Sequence, residues 1–256
     1  MCLLILAIQA HPAYKLIIAA NRDEFYERPT SPAGFWDEHP HILAGRDLRG
    51  HGTWLGITRT GRIGAITNYR DPTSFKANAP SRGKLVTDFL SGNEDPEAYL
   101  CKVDLKAKSY NGFNLVVGME DRLFWYSNRG DGIQPIAPGI HGLSNHLLDT
   151  PWPKVSRAKA ALERTLSDGS QIAPEALLEI LLDRTVPQDR SLPDTGVGIQ
   201  LERMLSPIFI AGTDYGTRSS TAILMDHEAH VTFLERTHGS SRCPRSDVVF
   251  EFEIEG

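Results

Sequence analysis

The first residue of this chain with distinctive chemistry is a cysteine at the second position. Cys2 becomes the N-terminal residue if the initiator Met1 is removed, the usual outcome before a small residue. Its α-amine, with a reference pKa of about 8, is then partly neutral at cellular pH and can act as general base toward its own thiol. One residue could therefore supply both the nucleophile and the base for acyl transfer. The structural alternative is an inert thiol packed in an apolar strand.

Polar residues directly follow the second apolar run, as the string NRDE at 21–24. Four polar residues at a strand end could form a solvated turn. Alternatively, Arg22 lowers the pKa of the Cys2 thiol while Asp23 holds or orients the terminal amine. Neighbouring residues on a strand face opposite ways, so Arg22 and Asp23 can share a site only if the strand ends or bulges there.

Three later residues extend this set of candidates. Asn68 and Asn145 each follow an apolar strand-like run, and Arg218 precedes another. Asparagine is common in turns, but its amide can also donate to a developing oxyanion. Arg218 is either an exposed charge on a hairpin or a second cation near the thiolate or a substrate carboxylate.

Hairpins must position these residues. The chain opens with two β-rich apolar runs separated by HPAY at 11–14, which predicts a first hairpin. Alternating apolar residues around short turns predict three more, at 53–69, 113–128 and 220–236, and residues 248–255 alternate strictly.

Helical patterns occupy the middle of the chain. We expect helices over 82–90 (capped by Ser81), 96–107, 153–166 and 174–184, the last three with a proline in the first turn. Cys101 falls within the second and is expected to be a packed core thiol. Residues 187–205 form the longest irregular stretch, a candidate lid or pocket rim. Hairpins around a helical middle predict an α+β protein with antiparallel sheets, in a single domain over 1–256.

Composition narrows the classes of partner. The 256 residues are 41% apolar and carry a net charge of −5 with no long basic run, which argues against nucleic acid and anionic membranes as main partners. Three widely spaced cysteines suggest neither a disulfide framework nor a zinc site. The apolar start is too short to span a bilayer. We therefore expect a cytoplasmic protein without a membrane span that binds a small molecule.

Histidines and glycines offer weaker signals. The chain has nine histidines, none paired at zinc-site spacing, so no metal site is predicted. His51, His141 and His146 flank the polar blocks and are either solvated or candidate axial ligands for haem, with Cys2 as a competing ligand. The glycine-rich stretch at 45–54 matches no nucleotide-binding pattern, so its glycines are expected to allow a tight turn or a close approach to the pocket. Trp54 either packs in the core or lines that pocket.

The order of these blocks resembles one family. Cys2 at the start of a strand, NRDE after the next strand, then TNYR (67–70), GLSN (142–145) and GTRSST (216–221) are similar to the NRDE proteins, also named the transport and Golgi organization family. That family in turn resembles the cysteine branch of the N-terminal nucleophile (Ntn) hydrolases, which includes bile-salt and penicillin V amidases. The resemblance implies a four-layer αββα sandwich of antiparallel sheets.

The resemblance also implies roles for the candidate residues. Cys2 matches the nucleophile, Arg22 the nearby cation and Asp23 the residue that contacts the amine. Two asparagines surround the oxyanion, and a late arginine completes the set: these match Asn68, Asn145 and Arg218. In the amidases the arginine and aspartate are separated, whereas here they are adjacent, so Glu24 competes with Asp23 for one role. Further expected pocket residues are Asn21, Glu24, Trp54 and His146.

Two functions follow from the resemblance. The first is a pocket centred on Cys2 that binds and mobilises an apolar metabolite inside the cell, namely haem, acyl-CoA or a lipid, with no required cofactor. The second is an active cysteine amidase in which Cys2 attacks a linear amide. The family name also suggests an interaction module in secretion, but no docking helix or groove is evident in the sequence. Fold likeness alone decides none of these.

Overall fold

The structure is a computed structural model and describes residues 2–239 and 245–255. Cys2 contributes only its backbone, so the predicted role of its thiol, like Cys243, lies outside the described part of the chain. The strands are β1 (Cys2–Ile8), β2 (Tyr14–Phe25), β3 (Thr30–Phe35), β4 (Ile42–Asp47), β5 (Leu55–Thr58), β6 (Arg62–Asn68), β7 (Phe113–Met119), β8 (Arg122–Ser127), β9 (Ile133–Pro135), β10 (Gly139–Leu143), β11 (Tyr215–Asp226), β12 (His230–Thr237) and β13 (Ser246–Glu253). The helices are α1 (Gly83–Ser91), α2 (Pro96–Lys106), α3 (Pro153–Leu166), α4 (Pro174–Leu181) and α5 (Ile199–Leu205).

These strands form two antiparallel sheets. The first runs β10-β1-β2-β11-β12-β13 and the second β3-β4-β5-β6-β7-β8-β9. Each predicted hairpin is present, with turns between β1 and β2, β5 and β6, β7 and β8, and β11 and β12. The sheets are therefore built largely from local pairings, as the alternating pattern predicts.

Alternation along β1 shows how the layers stack. Leu4, Leu6 and Ile8 point into a core shared with the second sheet, whereas the intervening residues join a separate core beneath α3 and α4. Helices α1 and α2 cover the outer face of the second sheet. Strand β1 is apolar at every position because both its faces are buried. The predicted αββα sandwich is confirmed.

Three details of the helical prediction need correction. Ser81 does not cap α1, whose N-cap is Arg82 without a side-chain capping bond. Cys101 is exposed on α2, so its assignment to the core is wrong; the helix buries Tyr99, Leu100 and Val103 instead. The irregular stretch 187–205 ends in the short helix α5. Among the described residues, none of the helices combines the length and apolar character that crossing a bilayer requires.

Candidate functional site

Strand pairing brings the start of the chain to the NRDE segment. Cys2 lies directly opposite Arg22 in the β1–β2 ladder, and Arg22 lies opposite Ser219 of β11. The register of β11 then shifts, with Thr217 opposite Asp23, so that Arg218 is an extra residue in a bulge. Such a bulge twists the sheet locally. Arg22 and Asp23 both line one pocket. Adjacent strand residues can do this only where the ladder is irregular, and the bulge at Arg218 is that irregularity.

This pocket has a volume of about 480 Å³ and lies where β2, the loop between β4 and β5, the end of β6 and the start of α1 meet. Its charged lining consists of four arginines and three acids: Arg22, Arg28, Arg49, Arg82, Asp23, Glu24 and Asp47. Arg28 binds Asp47 at 2.6 Å and Glu24 at 3.7 Å. Two of the carboxylates are thus engaged by one arginine, and the four arginines of the lining exceed its three acids by one positive charge.

Arg22 forms the floor of the pocket. Its side chain is 5% exposed, and its guanidinium carbon lies 4.3 Å from the centroid of the Trp54 ring. A cation over an indole face is a favourable pair, more so when desolvated. Gly45 makes room for the ring, since a Cβ there would come within 2.4 Å of Trp54. Trp54 both lines the pocket and belongs to the core, so its two predicted fates coincide.

Asp23 is buried beside Arg22. Thr217 Oγ1 donates to Asp23 Oδ1 at 2.7 Å, and the Tyr215 hydroxyl donates to the Asp23 main-chain oxygen at 3.0 Å. Burial raises the pKa of Asp23, while the charge of Lys154 acts in the opposite direction. Lys154, at the start of α3, is itself buried and donates to the Leu205 oxygen at 3.0 Å.

The two predicted asparagines meet at the ends of their strands. Asn145 follows β10 of the first sheet, and its Nδ2 donates to the main-chain oxygen of Asn68, the last residue of β6 in the second sheet, at 2.8 Å. The main-chain oxygen of Asn145 in turn accepts from the main-chain N–H of Arg70 at 2.8 Å. Asn68 lines the pocket, and Asn145 is fully buried behind it. The sequence blocks TNYR and GLSN therefore form one junction.

Two predicted residues point elsewhere. Asn21 Nδ2 donates to the oxygens of Leu181 and Ile208, each at 2.9 Å, so this side chain ties β2 to the helical layer. Arg218 donates to the oxygens of Phe25 and Arg28 and holds the turn after β2. Neither belongs to the lining of the pocket.

None of the nine histidines is among the residues that line the pocket. His146 contacts the Tyr69 and Trp152 rings, and its Nδ1 lies 2.9 Å from Thr150 Oγ1. Both ring nitrogens of His141 are engaged, one with Asp149 and one with the Ala137 oxygen. Within residues 2–239 and 245–255, no three His, Cys, Asp or Glu side chains are grouped to hold a metal ion. Haem ligation by a histidine in this pocket has no support from this arrangement.

The glycine-rich loop after β4 shapes one wall. A Cβ on Gly52 would lie 2.4 Å from the carbonyl carbon of Gly83, and one on Gly50 would lie 2.9 Å from Ser81 Oγ. The loop therefore packs directly against the start of α1 and carries Arg49 to the pocket. This agrees with the expectation that these glycines permit a close approach.

Sequence reasoning missed several residues of the site. The sequence pattern marks Lys154 only as part of the expected helix 153–166, and Arg82 only as the start of the expected helix 82–90. Glu235 lies within a hairpin of ordinary alternation, yet it is 2% exposed between the sheets. A charged residue at a core-facing position of a strand was the available signal for Glu235, since Glu is rarely buried without a partner.

The profile of the Transport and Golgi organisation 2 family matches residues 1–240. The chain belongs to that family. It is 38% identical to the Transport and Golgi organization protein 2 homolog of Bos taurus, over all of both chains, and 39% identical to that of Homo sapiens, over 93% of each. The Drosophila melanogaster protein is 27% identical over 93% of this chain and 92% of its own.

Solved structures share the fold at low identity. A conjugated bile acid hydrolase variant from Clostridium perfringens superposes with a TM-score of 0.52 at 7% identity, covering 100% of this chain and 97% of that one. A Caenorhabditis elegans ortholog of N-acylethanolamine-hydrolyzing acid amidase gives 0.51 at 13% identity, covering 87% of this chain and 92% of that one. The chain thus shares the fold of these hydrolases, and at this identity the likeness concerns the fold alone.

Proposed function

We propose that this protein binds and mobilises an acylated metabolite with an anionic head group, of which acyl-CoA is the simplest example, in the pocket beside Cys2 and Arg22. The observation that carries this proposal is the cationic excess of the lining. An anion is attracted by guanidinium groups, which can bind phosphate or carboxylate through two hydrogen bonds. Haem, with two carboxylates, belongs to the same class, but the histidines are not at the pocket.

Burial strengthens the argument for Arg22. The interaction of a charge with an anion grows as the local dielectric falls, and Arg22 is 5% exposed at the pocket floor. Arg49, by contrast, is exposed at the rim. We expect Arg22 to provide most of the affinity and Arg49 to contribute to attraction of the ligand from solution.

Calorimetric titration with palmitoyl-CoA tests the proposal, with coenzyme A and palmitate separately as partial ligands and haemin as the competing candidate. Arg22→Gln is expected to weaken binding at least tenfold. Arg59→Gln is the matched control, because Arg59 also covers an aromatic ring, at 4.0 Å from the Phe35 centroid, but lies outside the pocket lining. Equal affinity of palmitoyl-CoA for wild type and Arg22→Gln would refute this assignment.

A second candidate function is amide hydrolysis. It is favoured by the pairing of Cys2 with Arg22 and by the junction of Asn68 and Asn145 at the same end of the sandwich. In this reaction the thiolate of Cys2 attacks the amide carbon, the carbon–nitrogen bond breaks, and the α-ammonium group protonates the leaving amine. Water then hydrolyses the thioester and releases the acid. The side-chain amide of Asn68, which lines the pocket, would donate to the oxyanion, with Asn145 holding the Asn68 backbone behind it.

Intact-mass measurement after treatment with a long-chain β-lactone separates the two functions. Loss of Met1 together with a single acyl adduct that is absent in Cys2→Ala supports hydrolysis. An unmodified chain that still binds palmitoyl-CoA supports carriage alone.

A further inference from the structure

Glu235 is a buried acid that neither proposed function uses. It lies on β12, opposite Thr221 of β11, and its side chain reaches between the two sheets. The main-chain N–H of Ala33, in the second sheet, donates to Glu235 Oε1 at 2.7 Å, and Thr221 Oγ1 donates to Oε2 at 3.3 Å. Ala33 falls where the β3–β4 register shifts between Ser31 and Gly34, so its amide is not needed by a regular ladder.

Glu235 is also close to the Arg22–Trp54 pair. The side chains of Glu235 and Trp54 both approach Gly45. A Cβ added to Gly45 would lie 2.4 Å from the tip of the Trp54 ring and 3.4 Å from Glu235 Oε2. Arg22 covers the ring of Trp54. The carboxyl group and the guanidinium thus approach the same indole.

The charged surroundings of Glu235 are simple. Arg22, on β2, is the charged side chain that acts on it. Strand β11 presents the hydroxyls of Thr221 and Ser219, β3 the amide of Ala33, and β4 the backbone of Gly45. On β12 itself, the neighbouring Arg236 is bound to Asp247 at 2.7 Å.

We propose that Glu235 is a positioning residue for Arg22, and that a proton on Glu235 strengthens the attraction of Arg22 for an anion in the pocket. When Glu235 is ionised, it offsets part of the guanidinium charge and restrains it against Trp54. When Glu235 is protonated, this offset is lost and Arg22 presents more positive charge to the pocket. The effect on an anionic ligand rests on the function proposed above, whereas the coupling between Glu235, Arg22 and Trp54 does not.

Glu235 titrates at a pH where the folded protein can be studied. Burial raises the pKa of Glu235 to about 6, against the hydrogen bonds from Ala33 and Thr221 and the charge of Arg22. Affinity for a permanently charged anion should therefore rise as the pH falls through about 6. A shift of one pKa unit between free and bound states corresponds to a tenfold change in affinity, so we expect a change of about three- to tenfold.

Two titrations between pH 5 and 7.5 test the inference. The first follows Trp54 fluorescence without ligand, with Trp54→Phe as the background for the other three tryptophans. The second measures the affinity for N-lauroyltaurine, whose sulfonate stays ionised throughout this range. In wild type, both signals are expected to change with a midpoint near pH 6.

Two variants make the tests specific. Glu235→Gln keeps the volume and an oxygen for the Ala33 amide but cannot titrate, and it should flatten both curves. Thr221→Val removes a hydrogen bond that favours the ionised acid, so its midpoints should move to higher pH. If Glu235→Gln and Thr221→Val both retain the wild-type fluorescence curve, the coupling is refuted. If the fluorescence responds as expected but N-lauroyltaurine does not bind at any pH, the coupling stands and the proposed ligand class fails.

Discussion

The side-chain amide of Asn145 donates to the main-chain oxygen of Asn68 at 2.8 Å, and this bond joins the ends of two strands that belong to different sheets. A second hydrogen bond lies beside it, in which Thr67 Oγ1 donates to the Ser144 main-chain oxygen at 2.7 Å. Hydrogen bonds therefore connect the two sheets at the end where the pocket lies. An amide fixed in this way is already oriented before any ligand arrives.

Replacing Asn145 with alanine should both destabilise the protein and loosen the pocket. The change leaves the partly buried main-chain oxygen of Asn68 without its donor, at a cost of about 1–2 kcal/mol in the free energy of unfolding. Urea denaturation measures this loss. Asn93→Ala is the control, since Asn93 is exposed and should change stability by less than about 0.5 kcal/mol. Equal stability of the two variants would mean that the junction does not hold the sheets together.

Gly52→Ala should displace the start of α1. Its new Cβ would lie 2.4 Å from the carbonyl carbon of Gly83, and backbone atoms cannot be relieved by a rotamer change. We expect a loss of about 2 kcal/mol or more, together with weaker ligand binding because Arg82 moves. Gly34→Ala is the matched control, as no atom lies within 4 Å of its added Cβ. Thermal unfolding of both variants checks the prediction, which fails if they melt alike.

Local patterns were sufficient to predict most of the fold. Each hairpin combines period-two alternation with a short turn, and Pro96, Pro153 and Pro174 each begin a helix as expected. These features depend on neighbours in the chain. A helical pattern does not fix whether a residue at the border of the apolar face is buried. Cys101 is such a residue, and it is exposed although it was expected in the core.

The site was predictable only where its residues mark strand ends. Arg22, Asp23, Asn68 and Asn145 converge because antiparallel strands bring their ends together. Arg218 also borders a strand-like run in the sequence, at its start, but the bulge in β11 directs it to the oxygens of Phe25 and Arg28. Glu235 depends on pairing across the sandwich, which no local pattern specifies.

The buried pair of Arg70 and Glu202 should be essential for holding the irregular segment before α5. Arg70 Nη1 binds Glu202 Oε2 at 2.5 Å, with both side chains nearly inaccessible, and Thr195 donates twice to the other carboxylate oxygen. Glu202→Gln removes the charge that compensates Arg70, which costs about 3 kcal/mol or more. Asp189→Asn is the control, because its pair with Arg203 is exposed. Denaturant titration should show a large loss only for Glu202→Gln, and limited proteolysis should then cut the segment more rapidly. Similar stability of both variants would contradict this role.

The raised pKa of Glu235 predicts how stability depends on pH. Its pKa is about 6 in the folded protein against 4.5 ordinarily, so the folded state holds the proton more tightly. The stability that this proton contributes is fully present below about pH 4.5 and is lost as the pH rises through 6. One and a half pKa units correspond to about 2 kcal/mol. The unfolding free energy of wild type minus that of Glu235→Gln should therefore fall by about this amount between pH 4 and pH 7. The subtraction cancels the carboxylates that both proteins share. A difference that instead grows with pH would show that Arg22 stabilises the ionised acid by more than burial destabilises it.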